Sequence, residues 1–131
     1  MDIKIIVTQD NSKTLLNSEL NETYHSTNGA FNEAIHVFIN AGIKYFDQKK
    51  ALKIFEMGFG TGLNAWLTNV YSNILHVPVR YETLEKYPLK NEVYSQLNYH
   101  QYYKNSQSIL QQIHYCSWGN EINISPFMKL K

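Results

Sequence analysis

The sequence has very little cysteine and no long apolar run. Cys116, its single cysteine, cannot form a disulfide within the chain, and the residues around it lack metal-ligand spacing. This composition predicts a reducing, cytoplasmic compartment. No apolar run reaches the roughly 18 residues that a membrane-spanning helix needs, and the stretch after Met1 is too short for a signal peptide. We therefore expect no association with a membrane.

The sequence also lacks an excess of either charge, an internal repeat and a low-complexity segment. Twelve basic residues balance 11 acidic ones, giving a formal charge of +1, so charge alone indicates no partner. At 131 residues and 44% hydrophobic, the chain is long enough to bury a core without disulfides or bound metal. These numbers are typical of one globular domain.

Hydrophobic periodicity divides the chain in two. In residues 1–50, alternating apolar residues and a polar turn predict a β-hairpin over 3–16, and a polar loop follows over 17–29. From Ala30 to the natural stop at Gly42, apolar residues recur with the spacing of an amphipathic helix. We interpret 1–50 as a hairpin, a polar loop and a helix, ending in a polar break.

Residues 51–131 alternate strand and helix patterns. The segment Leu52–Met57 predicts a strand buried on both faces, Leu63–Leu75 a helix, and Val77–Leu84 a second strand. Strand, helix and strand make a βαβ unit, which is typical of an α/β fold with a parallel sheet. Two further helices are predicted, one with the apolar spine Leu89, Val93 and Leu97, and one around Ile109 to Ile113.

A glycine-rich segment lies where the first strand of this unit ends and its helix begins. It reads Glu56-Met57-Gly58-Phe59-Gly60-Thr61-Gly62. Alternate glycines allow a sharp turn with positive φ and let a ligand approach the backbone, and ligands of open α/β sheets bind at such strand ends. A dinucleotide fingerprint from Gly58 needs glycine at position 63, where this chain has Leu63. The segment instead resembles the first motif of Rossmann-like S-adenosylmethionine methyltransferases.

Two glutamates at the end of the second strand are candidates for binding a ribose. An acidic residue about 20 positions beyond such glycines commonly accepts hydrogen bonds from both ribose hydroxyls. Glu82 and Glu85 both qualify, and Glu85 lies 23 residues after Gly62. A carboxylate here also suits a cationic sulfonium better than a phosphate.

The resemblance becomes narrower when the flanking segments are added. From about Tyr24 to Leu89, the chain resembles the bacterial tRNA 5-methylaminomethyl-2-thiouridine methyltransferase family. The matching segments are Tyr24-His25-Ser26, Asn28-Gly29-Ala30, Glu33, His36-Val37-Phe38, the glycine segment extended to Leu63-Asn64, and Leu84-Glu85-Lys86-Tyr87-Pro88-Leu89. This resemblance implies transfer of a methyl group from S-adenosylmethionine to the aminomethyl nitrogen of the wobble uridine in tRNA.

The same resemblance implies a set of cofactor-binding residues. Gly58, Gly60 and Gly62 would line the methionine end of S-adenosylmethionine, with Thr61 and Asn64 close by, and Glu56 would orient the methionine amino group. Glu85 would hold the ribose, and Lys86 would flank the adenosine. Tyr24 would belong to the segment that folds over the cofactor. The implied fold is a Rossmann-like methyltransferase domain with an N-terminal β-hairpin and helix extension.

The chain departs from the family at the substrate side. The family carries an acidic residue in an Asp-(Ala or Gly)-Phe-x-Pro segment that faces the substrate amine, and no such segment occurs here. We therefore assign no catalytic residue and no metal ligand, and we expect little or no methyl transfer from this chain alone. Residues 51–131 are also too few for a six- or seven-stranded sheet, since one βαβ unit takes roughly 30 residues. We interpret them as the first half of a domain that is incomplete at the C-terminus.

Two other functions stay open. One is an inactive S-adenosylmethionine-binding or structural half-domain that self-associates through an unfinished sheet edge, because unpaired edges invite association. The other is a different Rossmann enzyme with a nicotinamide or flavin cofactor, which Leu63 disfavours. The tRNA partner rests on the resemblance alone, because lysines 44, 49, 50 and 53 favour a solvated surface and tyrosines 99, 102 and 103 favour core packing over base stacking.

Overall fold

The computed structural model describes residues 2–46, 50–104 and 106–131. Positions 47–49 of the predicted polar break, including Lys49, lie outside these ranges. The described residues form two sheets and several helices. The strands are β1 (Ile3–Val7), β2 (Lys13–Asn17), β3 (Glu22–Thr23), β4 (Leu52–Met57), β5 (Val79–Leu84), β6 (Ile122–Ser125) and β7 (Met128–Leu130), and the α-helices are α1 (Ala30–Glu33), α2 (Leu63–Leu75), α3 (Asn91–Tyr94) and α4 (Gln107–Tyr115).

The N-terminal sheet is antiparallel, in the order β1-β2-β3. This confirms the predicted hairpin, to which the two-residue strand β3 adds an edge that the sequence pattern did not predict. Asp10 organises the hairpin turn because its carboxylate accepts hydrogen bonds from the Thr8 hydroxyl (2.7 Å) and the Ser12 backbone N–H (3.0 Å). It also accepts the Asn32 backbone N–H (2.8 Å), so the turn is attached to the first helix.

The helical segment after the loop changes its winding along its length. α1 continues into a π-helical stretch, Ala34–Asn40, and a 3₁₀ turn, Ile43–Phe46, follows. The wider helix ends at Asn40, and Gly42 follows where a Cβ would clash with the Phe38 carbonyl oxygen, so the turn requires glycine. The predicted helix is confirmed as a helical segment, and Gly42 as its stop, but most of it is π-helical rather than α-helical.

The second sheet has the order β4-β5-β7-β6. Strands β4, β5 and β7 run parallel and β6 is antiparallel to β7. The connection from β4 through α2 to β5 confirms the predicted βαβ unit and the α/β class. The segment after α4, which showed only weak alternation, forms the β6–β7 hairpin, and the helix expected from Pro88 is a single turn, α3.

Only one face of this sheet is buried, so the prediction that β4 is buried on both faces is wrong. Tyr81 and Val79 pack into the core with α2, whereas Phe55 is 62% exposed and Met57 75% exposed. A short apolar run predicts a two-sided strand only if the chain supplies a layer on each side. In the part of the chain that the structure describes, helices cover one side alone.

The hairpin turn docks against the segment between α3 and α4. The Lys13 backbone N–H donates to the Asn98 side chain (2.9 Å), whose amide donates to the Asn11 carbonyl (2.9 Å). The Tyr102 hydroxyl donates to the Asp10 carbonyl (2.8 Å), and its ring stacks on Phe31 at 3.8 Å. These contacts hold the N-terminal segment beside the carboxyl ends of the parallel strands. Among the described helices, none is long and apolar enough to cross a bilayer.

Candidate cofactor site

The loop after β4 crosses the carboxyl end of β5. Gly58, Gly60 and Gly62 all have positive φ (87°, 56° and 72°), a backbone conformation that L side chains rarely adopt. The N–H groups of Gly58 and Phe59 both donate to the Leu84 carbonyl, at 2.9 and 3.1 Å. Gly62 then precedes the first residue of α2. The three predicted glycines therefore share one tight loop at the carboxyl edge of the sheet.

Glu85, not Glu82, faces this loop. One oxygen of the Glu85 carboxylate accepts the Gly60 backbone N–H (2.9 Å), and the other accepts the Tyr87 backbone N–H (2.8 Å). Glu82 lies on the open face of the sheet and pairs with Arg80 at 3.2 Å. Because each carboxylate oxygen has more than one lone pair, Glu85 keeps acceptor capacity for a further ligand.

Tyr24 lies over the glycine loop from the N-terminal side. A Cβ on Gly60 would be 3.2 Å from the Tyr24 ring. Burial, and then the charge of Glu85, raise the pKa of Tyr24. The backbone N–H of Tyr24 donates to the Leu15 carbonyl (2.9 Å), so the hairpin holds this residue in place. The predicted covering position of Tyr24 thus coincides with the glycines and Glu85.

Glu56 is a half-buried carboxylate in the same crevice. It accepts hydrogen bonds from the Asn64 amide (3.2 Å) and the Thr83 hydroxyl (3.1 Å), and among the described residues it makes no ion pair. Burial raises its pKa, and nearby Glu85 adds to the rise. The buried Tyr81 hydroxyl lies close to the Glu56 carboxylate, and burial together with this negative charge raises the pKa of Tyr81. A carboxylate that has no cation beside it among the described residues suits a ligand with an ammonium group.

Thr61, Asn64 and Lys86 occupy different environments. Thr61 is buried and its hydroxyl accepts from the Tyr99 hydroxyl (2.9 Å), so its side chain faces the core and only its backbone belongs to the loop. Asn64 reaches the crevice through Glu56. Lys86 is exposed, with its ammonium 5.1 Å from the centre of the Tyr87 ring.

Two aromatic residues behind the loop have no counterpart among the predicted site residues. Nε2 of His114 lies 2.8 Å from the Thr61 carbonyl oxygen. Tyr99, fully buried, holds the Thr61 hydroxyl from the other side, which confirms core packing for this tyrosine. Both come from segments far along the chain that carry no motif, so spacing alone contained no signal for them.

A parallel sheet with a glycine loop at its carboxyl edge and a helix behind the loop defines this chain as a Rossmann-like α/β protein. Among solved structures, MnmC2 from Aquifex aeolicus has the same fold, with a TM-score of 0.79 and 24% sequence identity over 99% of this chain. The match covers 41% of the Aquifex protein, so this chain spans less than half of its length. No protein-family model and no curated protein matches the sequence.

Proposed function

We propose that this chain is the S-adenosylmethionine-binding part of a tRNA methyltransferase that forms 5-methylaminomethyl-2-thiouridine at the wobble position. The observation that carries the proposal is the contact between Glu85 and the Gly60 N–H, with Tyr24 over the same glycine. It joins an acceptor suited to a ribose to a backbone turn suited to close ligand approach. The fold shared with MnmC2 and the narrow motif resemblance both support this assignment.

In this proposal the crevice divides the cofactor between its two carboxylates. Glu85 accepts hydrogen bonds from the ribose hydroxyls. Glu56 binds the methionine ammonium, which supplies the positive charge that no described residue places beside this carboxylate. The backbone of Gly58, Gly60 and Gly62 lines the methionine end, and Lys86 flanks the adenosine. The cofactor supplies an electrophilic methyl group on a sulfonium, and Tyr24 covers it from solvent.

Glu56 and Leu63 separate this proposal from a nicotinamide or flavin dinucleotide, whereas Glu85 would suit the ribose of either cofactor. A pyrophosphate at the glycine loop would lie near the Glu56 carboxylate, and repulsion between like charges at short range disfavours such a ligand. The side chain of Leu63 is buried at the start of α2, where a dinucleotide fingerprint places a glycine. A cationic sulfonium would instead be attracted by the Glu56 carboxylate.

We further propose that this chain binds the cofactor without transferring the methyl group. The 131 residues contain no Asp-(Ala or Gly)-Phe-x-Pro segment, which in the family supplies the acidic residue that faces the substrate amine. Recognition of tRNA, a cytoplasmic location, and the division into an N-terminal cover (1–50) and a cofactor domain (51–131) belong to the same proposal.

Calorimetric titration with S-adenosylmethionine tests this function. We expect saturable binding to the wild-type chain, strong weakening in Glu85→Gln, and no change in Glu82→Gln, which removes the same charge three positions earlier on the open face. No saturable heat with the wild type would contradict the proposal and favour a purely structural half-domain. Equal weakening in both variants would show that general charge, not the Glu85 contact, attracts the ligand.

A further inference from the structure

His114 is the residue of α4 that touches the cofactor loop. Its Nε2 atom lies 2.8 Å from the carbonyl oxygen of Thr61. A carbonyl oxygen only accepts hydrogen bonds, so Nε2 carries a proton in this arrangement and the imidazole is the donor. The contact joins two residues that are 53 positions apart in the sequence.

The imidazole ring is held in one orientation by its neighbours. Tyr94 stacks on it, with the ring centres 4.6 Å apart and the planes 7° from parallel, and Phe59 meets it edge-on at 5.1 Å. On the loop side, a Cβ on Gly62 would lie 3.0 Å from Nε2. The ring therefore lies directly against the backbone where the loop passes into α2, and glycine at position 62 leaves the space for it.

The loop needs such an attachment because glycines are intrinsically mobile. Three glycines in five residues lose more conformational freedom on ordering than other residue types do. Glu85 holds the Gly60 N–H on the crevice side, while Tyr99 and His114 hold the side chain and the carbonyl of Thr61 on the core side. The hydrogen bond from His114 holds the carbonyl of the peptide between Thr61 and Gly62, while the N–H of that peptide donates to the Phe59 carbonyl (2.9 Å).

We infer that His114 is a positioning residue of the cofactor site: its Nε2–H donates to the Thr61 carbonyl and orders the glycine loop for binding. This inference rests on the proposed cofactor function. The hydrogen bond, rather than the bulk of the ring, sets the affinity, since Tyr94 and Phe59 already fill the surrounding space. His114 does not reach the reacting atoms and acts through the loop alone.

Two variants separate the donor from the ring. His114→Gln keeps an N–H donor and loses the aromatic stack, whereas His114→Phe keeps the stack and loses the donor. We expect His114→Phe to raise the Kd for S-adenosylmethionine roughly 2- to 10-fold, the range that the net contribution of one hydrogen bond gives. His114→Gln stays closer to the wild-type Kd even though it loses more thermal stability.

Amide hydrogen exchange without the cofactor provides the second readout. We expect faster exchange at Thr61, Gly62 and the first turn of α2 in His114→Phe than in His114→Gln. An unchanged Kd in His114→Phe, or a Kd that follows the melting temperature in both variants, would overturn the inference. If the wild type binds no S-adenosylmethionine, the proposed function fails, and the exchange rates decide separately whether His114 orders the loop.

Discussion

The carboxylate of Glu85 and the backbone N–H of Gly60 form a hydrogen bond of 2.9 Å across the ends of two neighbouring parallel strands. Glu85 follows β5 and Gly60 follows β4, so the bond closes the carboxyl edge of the sheet at the point where β4 and β5 diverge. The same carboxylate accepts the N–H of Tyr87. The acidic group of the site is therefore held in place before any ligand arrives.

We expect alanine at Gly58 and at Gly119 to separate backbone strain from ligand binding. Both glycines have positive φ, 87° and 83°, and a Cβ at either one meets nothing within 4 Å. Each substitution should cost roughly 1–2 kcal/mol of unfolding free energy, the penalty of left-handed backbone for a residue with a Cβ. Only Gly58→Ala should weaken cofactor binding. Urea titration measures the unfolding free energy of each variant, and calorimetry measures its affinity for the cofactor. If Gly119→Ala also bound the cofactor more weakly, the weaker binding of Gly58→Ala would follow from lost stability and not from the glycine loop.

Glu56→Gln should stabilise the fold and weaken the cofactor site. Burial raises the pKa of Glu56, so the folded state favours the protonated form and ionisation at neutral pH costs stability. The stabilisation should be full above the raised, folded-state pKa of Glu56 and should disappear as the pH falls below the ordinary value of 4.5. Loss of the carboxylate should raise the Kd for S-adenosylmethionine at least about tenfold, since hydrogen bonds to charged groups contribute roughly 1.5–3 kcal/mol. Thermal melts from pH 4 to 7 test the sign, and a destabilised variant at pH 7 would contradict it.

Two buried histidines should make the protein less stable in mild acid. Burial lowers the pKa of His25 and of His114 below the ordinary value of 6.5. The unfolded chain therefore takes up protons that the folded chain resists, and stability should fall as the pH drops below about 6.5. His114→Gln should flatten part of this dependence, whereas the same change at exposed His36 should leave it intact. Identical pH profiles for all three proteins would exclude the histidines as the cause.

We expect self-association through the uncovered edge of the main sheet. β4 pairs only with β5 among the described strands, and the side chain of Phe55 on it is exposed. Phe55→Lys should lower the sedimentation coefficient at high protein concentration, because charged residues on edge strands oppose pairing. Tyr115→Lys, at an exposed tyrosine on α4, is the matched control. A wild-type chain that sediments as a monomer at every concentration would contradict the expectation.

The sequence predicts the βαβ unit, the glycine loop and its residues well, because these depend on local spacing. Spacing alone left Glu82 and Glu85 undecided and the family resemblance selected Glu85, although strand alternation also contained the answer. Thr83 is buried with the core, so Glu82 must point to the opposite face, and Glu85 lies beyond the strand end. Period-2 alternation, applied strictly, separates two such glutamates.

Other features could not be predicted because they depend on distant parts of the chain. Phe55 is exposed because no described helix covers its face of the sheet, and the residues of a strand do not show which of its faces helices will cover. His114 and Tyr99 reach Thr61 across 53 and 38 positions. Their roles come from how the helices stack on the sheet, which local periodicity does not specify.

The attachment of the hairpin turn has a consequence for the order of folding. Its hydrogen bonds to Asn98 and Tyr102 span 85 to 92 residues, so the turn depends on segments that are synthesised long after it. Contacts of such long sequence separation form slowly because loop closure must come first. The hairpin, which holds Tyr24 through the Leu15 carbonyl, is thus expected to settle last, after the sheet and the glycine loop have formed.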